Sequence, residues 1–150
     1  MKAIRVNEHG GPEVLAFVDV DTPCIGEGEV LLKIESAGIN FIDTYQRSGL
    51  YQIPLPSTLG LEASGTVVET GANVTGLNIG DRVAYTNVAG AYAEFAAVPA
   101  EKLVAIPEGV SFDQGAAAMR SDVLRQLQSE GLHVRREGAW WREGAGVLAT

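Results

Sequence analysis

The chain has 150 residues, of which 46% are apolar and 20% charged, and its formal net charge at pH 7 is -8. This length and composition predict one globular domain with a real core, and they exclude collagen, coiled coil and a wholly disordered chain. The negative balance argues against nucleic-acid binding, which needs a concentrated basic stripe.

Short strands dominate the first hundred residues. Apolar and polar positions alternate most clearly over 29–37, where Val30 and Leu32 share one face while Lys33 and Glu35 share the other. Further strands or extended segments are predicted, in chain order, at 2–6, 15–20, 62–69, 82–85, 91–98 and 103–106. So many short strands, separated by turn residues, favour a β-barrel or a β-sandwich.

Two segments depart from the strand pattern. Residues 40–47 lose the period of two and are followed by Ser48-Gly49, which predicts a helix of one or two turns. Ser111 and Gln114 form a capping box that begins a second helix, and apolar positions could continue it to Glu130. Beyond Gly131 neither period is convincing, so an irregular tail is expected.

Compartment signals are few. Cys24 is the single cysteine, which excludes an internal disulfide framework and fits a reducing cytosol. No start segment pairs basic residues with an apolar run, and no stretch approaches the roughly 18 apolar residues of a membrane span. We therefore expect a cytoplasmic protein with no membrane partner.

Four sequence pieces together resemble a known family. The most specific is Ala37-Gly-Ile-Asn-Phe-Ile-Asp-Thr-Tyr-Gln-Arg-Ser-Gly-Leu-Tyr51, and the others are Gly60-Leu-Glu-Ala-Ser-Gly-Thr-Val67, Gly80-Asp-Arg-Val83 and Gly90-Ala-Tyr-Ala-Glu94. In order and spacing they resemble the zinc-free quinone oxidoreductases of the medium-chain dehydrogenase/reductase superfamily, over residues 2 to about 119. The resemblance implies a mainly β fold with short helices, namely a GroES-like, partly open β-barrel.

The same comparison argues against a metal. Alcohol dehydrogenases of this superfamily carry a zinc-binding cysteine where this chain has Asn40, and a zinc-binding histidine where it has Leu61. A catalytic zinc needs about three protein ligands. The only soft ligands, His9, His133 and Cys24, are scattered, so no metal site is predicted.

Without a metal, hydrogen-bond donors must meet the charge that develops on a substrate oxygen. Tyr45 and Tyr51 are suitable because a phenol keeps its proton at neutral pH. The resemblance implies that Asn40, Phe41, Ile42 and Tyr45 lie beside the nicotinamide, with Tyr51 near the quinone. We therefore predict Asn40, Tyr45 and Tyr51 as catalytic, with Asn40 as an orienting amide and Phe41 and Ile42 as apolar walls.

Structural alternatives remain for each of these residues. Asn40 before a short helix can simply be its N-cap. Tyr45 and Tyr51 can be rim aromatics that close the core. Glu62 can pair with a backbone donor, and Gly65 can serve a turn or close packing.

The resemblance implies NADPH or NADH as the cofactor of the complete enzyme, held by a separate Rossmann domain. Two glycine-rich stretches were considered for that role. The one at 26–31 precedes a strand rather than a helix, and the one at 144–149 is followed only by Thr150, so neither can cradle a pyrophosphate at a helix N-terminus. The chain is therefore expected to lack the Rossmann domain.

The charge balance and the tryptophan content change near residue 119, which suggests two segments. Residues 1–119 contain six basic and fifteen acidic residues, whereas 120–150 contain five basic and four acidic ones and both tryptophans. We assign 1–119 to a substrate-side catalytic domain and 120–150 to an atypical tail. A frameshifted end, a truncated gene or an engineered fusion would each explain that tail.

The sequence leaves two alternative functions open. The first is transfer of electrons or a hydride from NAD(P)H to a small-molecule quinone, with the isolated chain weakly active or inactive. The second is a catalytically silent GroES-like binding module, whose contact patch would consist of Trp140 and Trp141 beside Arg135, Arg136 and Arg142. A tail that tucks its tryptophans over the barrel edges fits equally well. The family homodimer is left open.

Overall fold

The computed structural model describes residues 1–119 and, further along, 132–134, 140–142 and 146–149. Residues 1–119 are mainly β with two α-helices and two short 3-10 turns. The elements are β1 Lys2–Val6, β2 Ala16–Asp19, β3 Glu29–Ala37, α1 Phe41–Ser48, β4 Ser57–Thr58, β5 Glu62–Thr70, β6 Arg82–Thr86, β7 Phe95–Pro99, β8 Val104–Ala105 and α2 Phe112–Ala118. No helix in the described part of the chain is long and apolar enough to cross a membrane.

Two antiparallel sheets form the body of the domain. One has five strands in the order β7-β3-β5-β6-β8, and the other has three in the order β2-β1-β4. An isolated bridge connects Ala3 of β1 with Ala93, which precedes β7, and beside it the Ile4 N–H donates to the Tyr92 carbonyl oxygen at 2.7 Å. The sheets do not close completely, so the predicted mainly β, partly open architecture is confirmed.

The core follows from the alternation on β3. Val30 and Leu32 are fully buried while Lys33 and Glu35 are exposed, as the period of two predicts. Val67 on β5 and Val98 on β7 join the same buried cluster, because β3 lies between these two strands in the sheet. Burial of these branched side chains supplies the main stabilisation of the domain.

Most predicted boundaries agree with the structure within two residues, but β7 and β4 do not. The predicted strand 91–98 begins only at Phe95, because the preceding backbone bonds elsewhere: the Ala91 and Tyr92 N–H groups donate to Gly60 and Leu59 carbonyl oxygens. Ser57–Thr58, for which no strand was predicted, forms β4 against β1. Two residues after a proline are too few to show alternation.

The capping box of α2 is confirmed. The Gln114 N–H donates to Ser111 Oγ at 3.1 Å, and the Ser111 N–H donates to Gln114 Oε1 at 2.9 Å. The helix spans Phe112–Ala118. Its predicted continuation to Glu130 lies outside the described residues.

Three short strands follow where an irregular tail was expected. They are β9 Leu132–Val134, β10 Trp140–Arg142 and β11 Gly146–Ala149, and they form an antiparallel sheet in the order β11-β10-β9. Tryptophan, valine and leucine suit strands, but runs of three or four residues are too short to reveal a period of two in the sequence. The proposed segment boundary near 119 and the foreign origin of the tail stay predictions.

Tyr85 on β6 carries an unusual polar group in the core. Its side chain is fully buried, and its hydroxyl has no hydrogen-bond partner among the described residues. Burial raises the pKa of the Tyr85 phenol far above its ordinary value near 10, because the low-dielectric core disfavours the phenolate. The folded state therefore retains this proton at a pH at which the unfolded chain releases it.

We expect this difference to destabilise the domain in alkali. The contribution of Tyr85 is constant below pH 10, and above it stability falls by up to about 1.4 kcal/mol per pH unit. Tyr85→Phe should remove that part of the slope and raise stability at pH 7 by about 1 kcal/mol, since no unpartnered hydroxyl is then buried. Urea unfolding of both proteins between pH 8 and 11 measures this, and equal slopes would refute it.

Candidate functional site

Helix α1 begins at the N-cap residue Asn40, whose backbone is extended with φ -136° and ψ 153°. The Asp43 carboxylate turns back and accepts the Asn40 N–H through Oδ2 at 2.7 Å. The Asp43 N–H in turn donates to the Asn40 carbonyl oxygen at 3.0 Å. Both bonds satisfy donors that a helix start leaves unpaired, and both use backbone atoms of Asn40, which occupies the N-cap position considered for it.

The end of α1 brings the two predicted phenols together. Gly49 takes the left-handed conformation with φ 83°, which a residue without a side chain adopts at little cost. The chain then folds back, and the Tyr51 N–H donates to the Tyr45 carbonyl oxygen at 3.1 Å. As a result the two rings make an edge contact, with centroids 5.5 Å apart and planes at 73°.

The tyrosine pair belongs to an exposed apolar patch, which we call the tyrosine face. It comprises Phe41, Tyr45, Leu50 and Tyr51, with exposed fractions of 78%, 38%, 68% and 53%. Phe41 and Tyr45 are four positions apart and therefore lie on the same side of α1. Exposed apolar side chains grouped at one helix end make this surface a candidate binding surface.

The opposite side of α1 lines a separate cleft of about 530 Å³, which we call the inner cleft. Four helix residues at a spacing of three and four contribute to it: Asn40, Asp43, Thr44 and Arg47. Its remaining walls are Ile4, Leu15, Ala37, Ile39, Leu59 and Tyr92. The predicted site residues are therefore divided, because Asn40 lines the inner cleft while Phe41, Tyr45 and Tyr51 lie on the tyrosine face. Ile42 is half-buried.

Asp43 is a buried polar residue of the inner cleft that the sequence did not single out. Its side chain is only 5% exposed. Besides the Asn40 N–H, its Oδ2 accepts the Tyr92 hydroxyl at 2.6 Å, whereas Oδ1 has no partner among the described residues. An acid at the third helical position was a signal for capping, but the contact with Tyr92, 49 positions along the chain, was not readable from local pattern.

The loop before β2 holds the last turn of α1. The Gly10 N–H donates to the Arg47 carbonyl oxygen at 3.0 Å, and Arg47 Nε donates back to the Gly10 carbonyl oxygen at 3.3 Å. His9 Nδ1 lies 3.0 Å from the Gln46 carbonyl oxygen. These bonds fix the helix against the β1–β2 connection, so both of its faces are presented by a rigid element.

Glu62, at the start of β5, is buried beneath the backbone of Gly38. A side chain at position 38 would overlap the Glu62 carboxylate, and the Gly38 N–H donates to the Glu62 carbonyl oxygen at 3.1 Å. Within the described residues, no three His, Cys, Asp or Glu side chains gather as a metal site would require.

Comparison with known proteins gives a consistent result. Residues 26–108 match the model of the alcohol dehydrogenase GroES-like domain. The chain is 46% identical to a quinone oxidoreductase of Pseudomonas aeruginosa over 127 residues, covering 83% of this chain and 39% of that protein. It is 45% identical to quinone oxidoreductase 1 of Escherichia coli, covering 77% of this chain and 36% of the relative.

Solved structures agree with the sequence relatives. The NADPH complex of the Escherichia coli quinone oxidoreductase aligns with a TM-score of 0.77 at 43% identity, over 79% of this chain and 37% of that one. A quinone oxidoreductase of Pseudomonas syringae aligns with a TM-score of 0.79 at 44% identity, over 85% and 40%. The chain thus spans about two fifths of the length of these relatives.

Proposed function

Because this chain belongs to the family of alcohol dehydrogenase GroES-like domains, we propose that residues 1–119 form the substrate-side domain of an NAD(P)H-dependent quinone oxidoreductase. The observation that carries the proposal is the exposed edge contact of Tyr45 with Tyr51. This contact places two phenol hydroxyls, both hydrogen-bond donors, close together at the C-terminal end of α1.

The tyrosine face has the chemistry that quinone reduction needs. A quinone is a flat apolar ring with carbonyl oxygens, and negative charge develops on such an oxygen as the ring is reduced. Phe41 and Leu50 offer apolar surface to the ring, while the Tyr45 and Tyr51 hydroxyls can donate to the oxygen. Donors held in place before the reaction stabilise that charge without reorganisation.

NADPH, when bound, supplies the hydride. The tyrosine face offers exposed apolar surface to a nicotinamide ring, and we assign Phe41 and Tyr45 to contact that ring. Asn40 and Ile42 stay predicted contacts at the N-terminal end of α1. The NADPH complex of the Escherichia coli relative supports NADPH, with NADH as the alternative.

We propose that this chemistry needs no zinc, because Asn40 and Leu61 supply an amide and a hydrocarbon where the alcohol dehydrogenases carry zinc ligands. No strand followed by a glycine-rich turn and a helix N-terminus occurs among the described residues. The nucleotide is therefore proposed to need protein surface beyond that of 1–119. On its own, the 150-residue chain should turn over quinones weakly or not at all.

A domain exchange tests the proposal. In the chimera, residues 1–119 replace the matching domain of the Escherichia coli quinone oxidoreductase, and NADPH oxidation by 1,4-benzoquinone is followed at 340 nm. We expect kcat within about tenfold of the parent enzyme, since the donors and walls should be equivalent. The nucleotide-binding part of the parent, without this domain, is the control and should be inactive.

One outcome would contradict the proposal. If the chimera folds and binds NADPH but reduces no quinone, the domain does not supply the catalytic donors. The catalytically silent binding module then becomes the better description, with the tyrosine face as its contact surface.

A further inference from the structure

The inner cleft lies on the side of α1 away from the tyrosine face and, apart from Asn40, its lining shares no residue with the proposed quinone site. Its volume of about 530 Å³ falls within the range of small-molecule sites. Most of its wall is aliphatic, with the Tyr92 ring on one side. Such a lining favours a flat apolar molecule with few polar groups.

The lining of this cleft includes a carboxylate with one oxygen that lacks a hydrogen-bond donor. Asp43 Oδ1 is buried and has no hydrogen-bond partner among the described residues, while Oδ2 already accepts from the Asn40 N–H and the Tyr92 hydroxyl. A buried acceptor without a donor costs free energy, so a ligand that supplies a donor here is favoured. Thr44 does not meet this need, because its hydroxyl donates to the Phe41 carbonyl oxygen at 2.7 Å.

Charge selects among the possible donors. Arg47 lines the same cleft one helical turn beyond Asp43, so the lining carries one positive and one negative side chain. A cationic ligand would meet the positive side chain as well as the negative one, whereas a neutral hydroxyl needs only the carboxylate oxygen. The ligand is therefore expected to be uncharged.

We propose that the inner cleft binds a small neutral phenol, whose hydroxyl donates to Asp43 Oδ1 and whose ring packs between Ile4, Leu59 and Tyr92. Leu15 and Ile39 line the cleft and are exposed, so a ligand can enter beside them. The site concerns binding alone and does not depend on hydride chemistry.

The direct test is titration of the 150-residue chain with 4-methylphenol, followed by amide shifts in two-dimensional NMR. Shifts should centre on Ile4, Asp43 and Leu59. The matched probe 4-methylanisole lacks the donor and should bind at least tenfold more weakly. Shifts confined to Tyr45 and Tyr51, equal binding of the two probes, or no binding of 4-methylphenol would overturn the proposal.

The Asp43→Asn variant gives a more specific form of the phenol titration. Both groups bonded to Oδ2 are donors, so the asparagine must keep its oxygen toward them and present its NH₂ group to the cleft. Affinity for 4-methylphenol should fall at least tenfold, and 4-methylbenzaldehyde, which carries an acceptor, should bind more tightly than to the unaltered chain. If the phenol binds both proteins equally, Asp43 is not its partner.

Two further measurements keep the test decisive if that variant does not fold. Leu15→Trp fills the mouth of the inner cleft without touching Asp43 and should abolish phenol binding. Ile79→Trp, at another exposed position, is the matched control and should leave binding unchanged. Tighter binding of 4-methylbenzylamine than of 4-methylphenol would overturn the assignment of a neutral ligand.

Discussion

Substituting alanine for Gly65 is expected to cost more than about 4 kcal/mol of folding free energy, a large share of the roughly 5 to 15 kcal/mol that stabilises an ordinary domain. Gly65 lies in β5, where β5 pairs with β3. A Cβ at this position would overlap the Lys33 carbonyl oxygen and lie 3.2 Å from Ile34 Cα. Those atoms are backbone, so relief requires that the two central strands separate rather than that a side chain rotates.

Urea unfolding followed by circular dichroism measures this effect. Gly28→Ala is the matched control, because a Cβ at Gly28 meets nothing within 4 Å. The control should leave the midpoint unchanged or raise it slightly, through loss of freedom in the unfolded chain. A Gly65→Ala protein less than 1 kcal/mol below the unaltered chain would show that β3 and β5 are not packed at this distance.

Gly65 also shows what the sequence can and cannot predict. Its position in a short motif suggested a turn or close packing, and the structure confirms close packing, but only pairing with β3 reveals what it packs against. Features that depend on near neighbours were predicted correctly, such as the alternation of β3 and the capping of α2 by Ser111. The start of β7 was not predicted correctly, because the Tyr92 N–H donates to the carbonyl oxygen of Leu59, which lies 33 positions earlier in the chain.

In the candidate site, too, the local features were predictable from the sequence and the contacts between distant segments were not. The sequence predicted a short helix ending at Ser48-Gly49 and two phenols near it, and both features are present. Helical periodicity alone places Asp43 and Arg47 on a different side of α1 from Phe41 and Tyr45. It could not show that Asp43 is buried, since the Tyr92 hydroxyl that covers it comes from a distant segment.

The proposed function makes its strongest prediction at the tyrosine pair. In the active chimera, removal of one hydroxyl that donates to the developing oxyanion should lower kcat by about a hundredfold, as is typical of such donors. Tyr45→Phe and Tyr51→Phe keep both rings, so their edge contact and the local fold should persist. KM should change little, because the lost bond strengthens only as charge develops.

Tyr85→Phe is the matched control, since it removes the same atom from a buried site in the sheet. It should leave kcat unchanged, which separates loss of a donor from any general effect of phenylalanine for tyrosine. If each phenol partly compensates for loss of the other at the same oxygen, the double variant should lose more than the product of the single losses, because no donor then remains. Should both single variants turn over within twofold of the chimera, the pair acts only as rim aromatics and the charge must be stabilised by other groups.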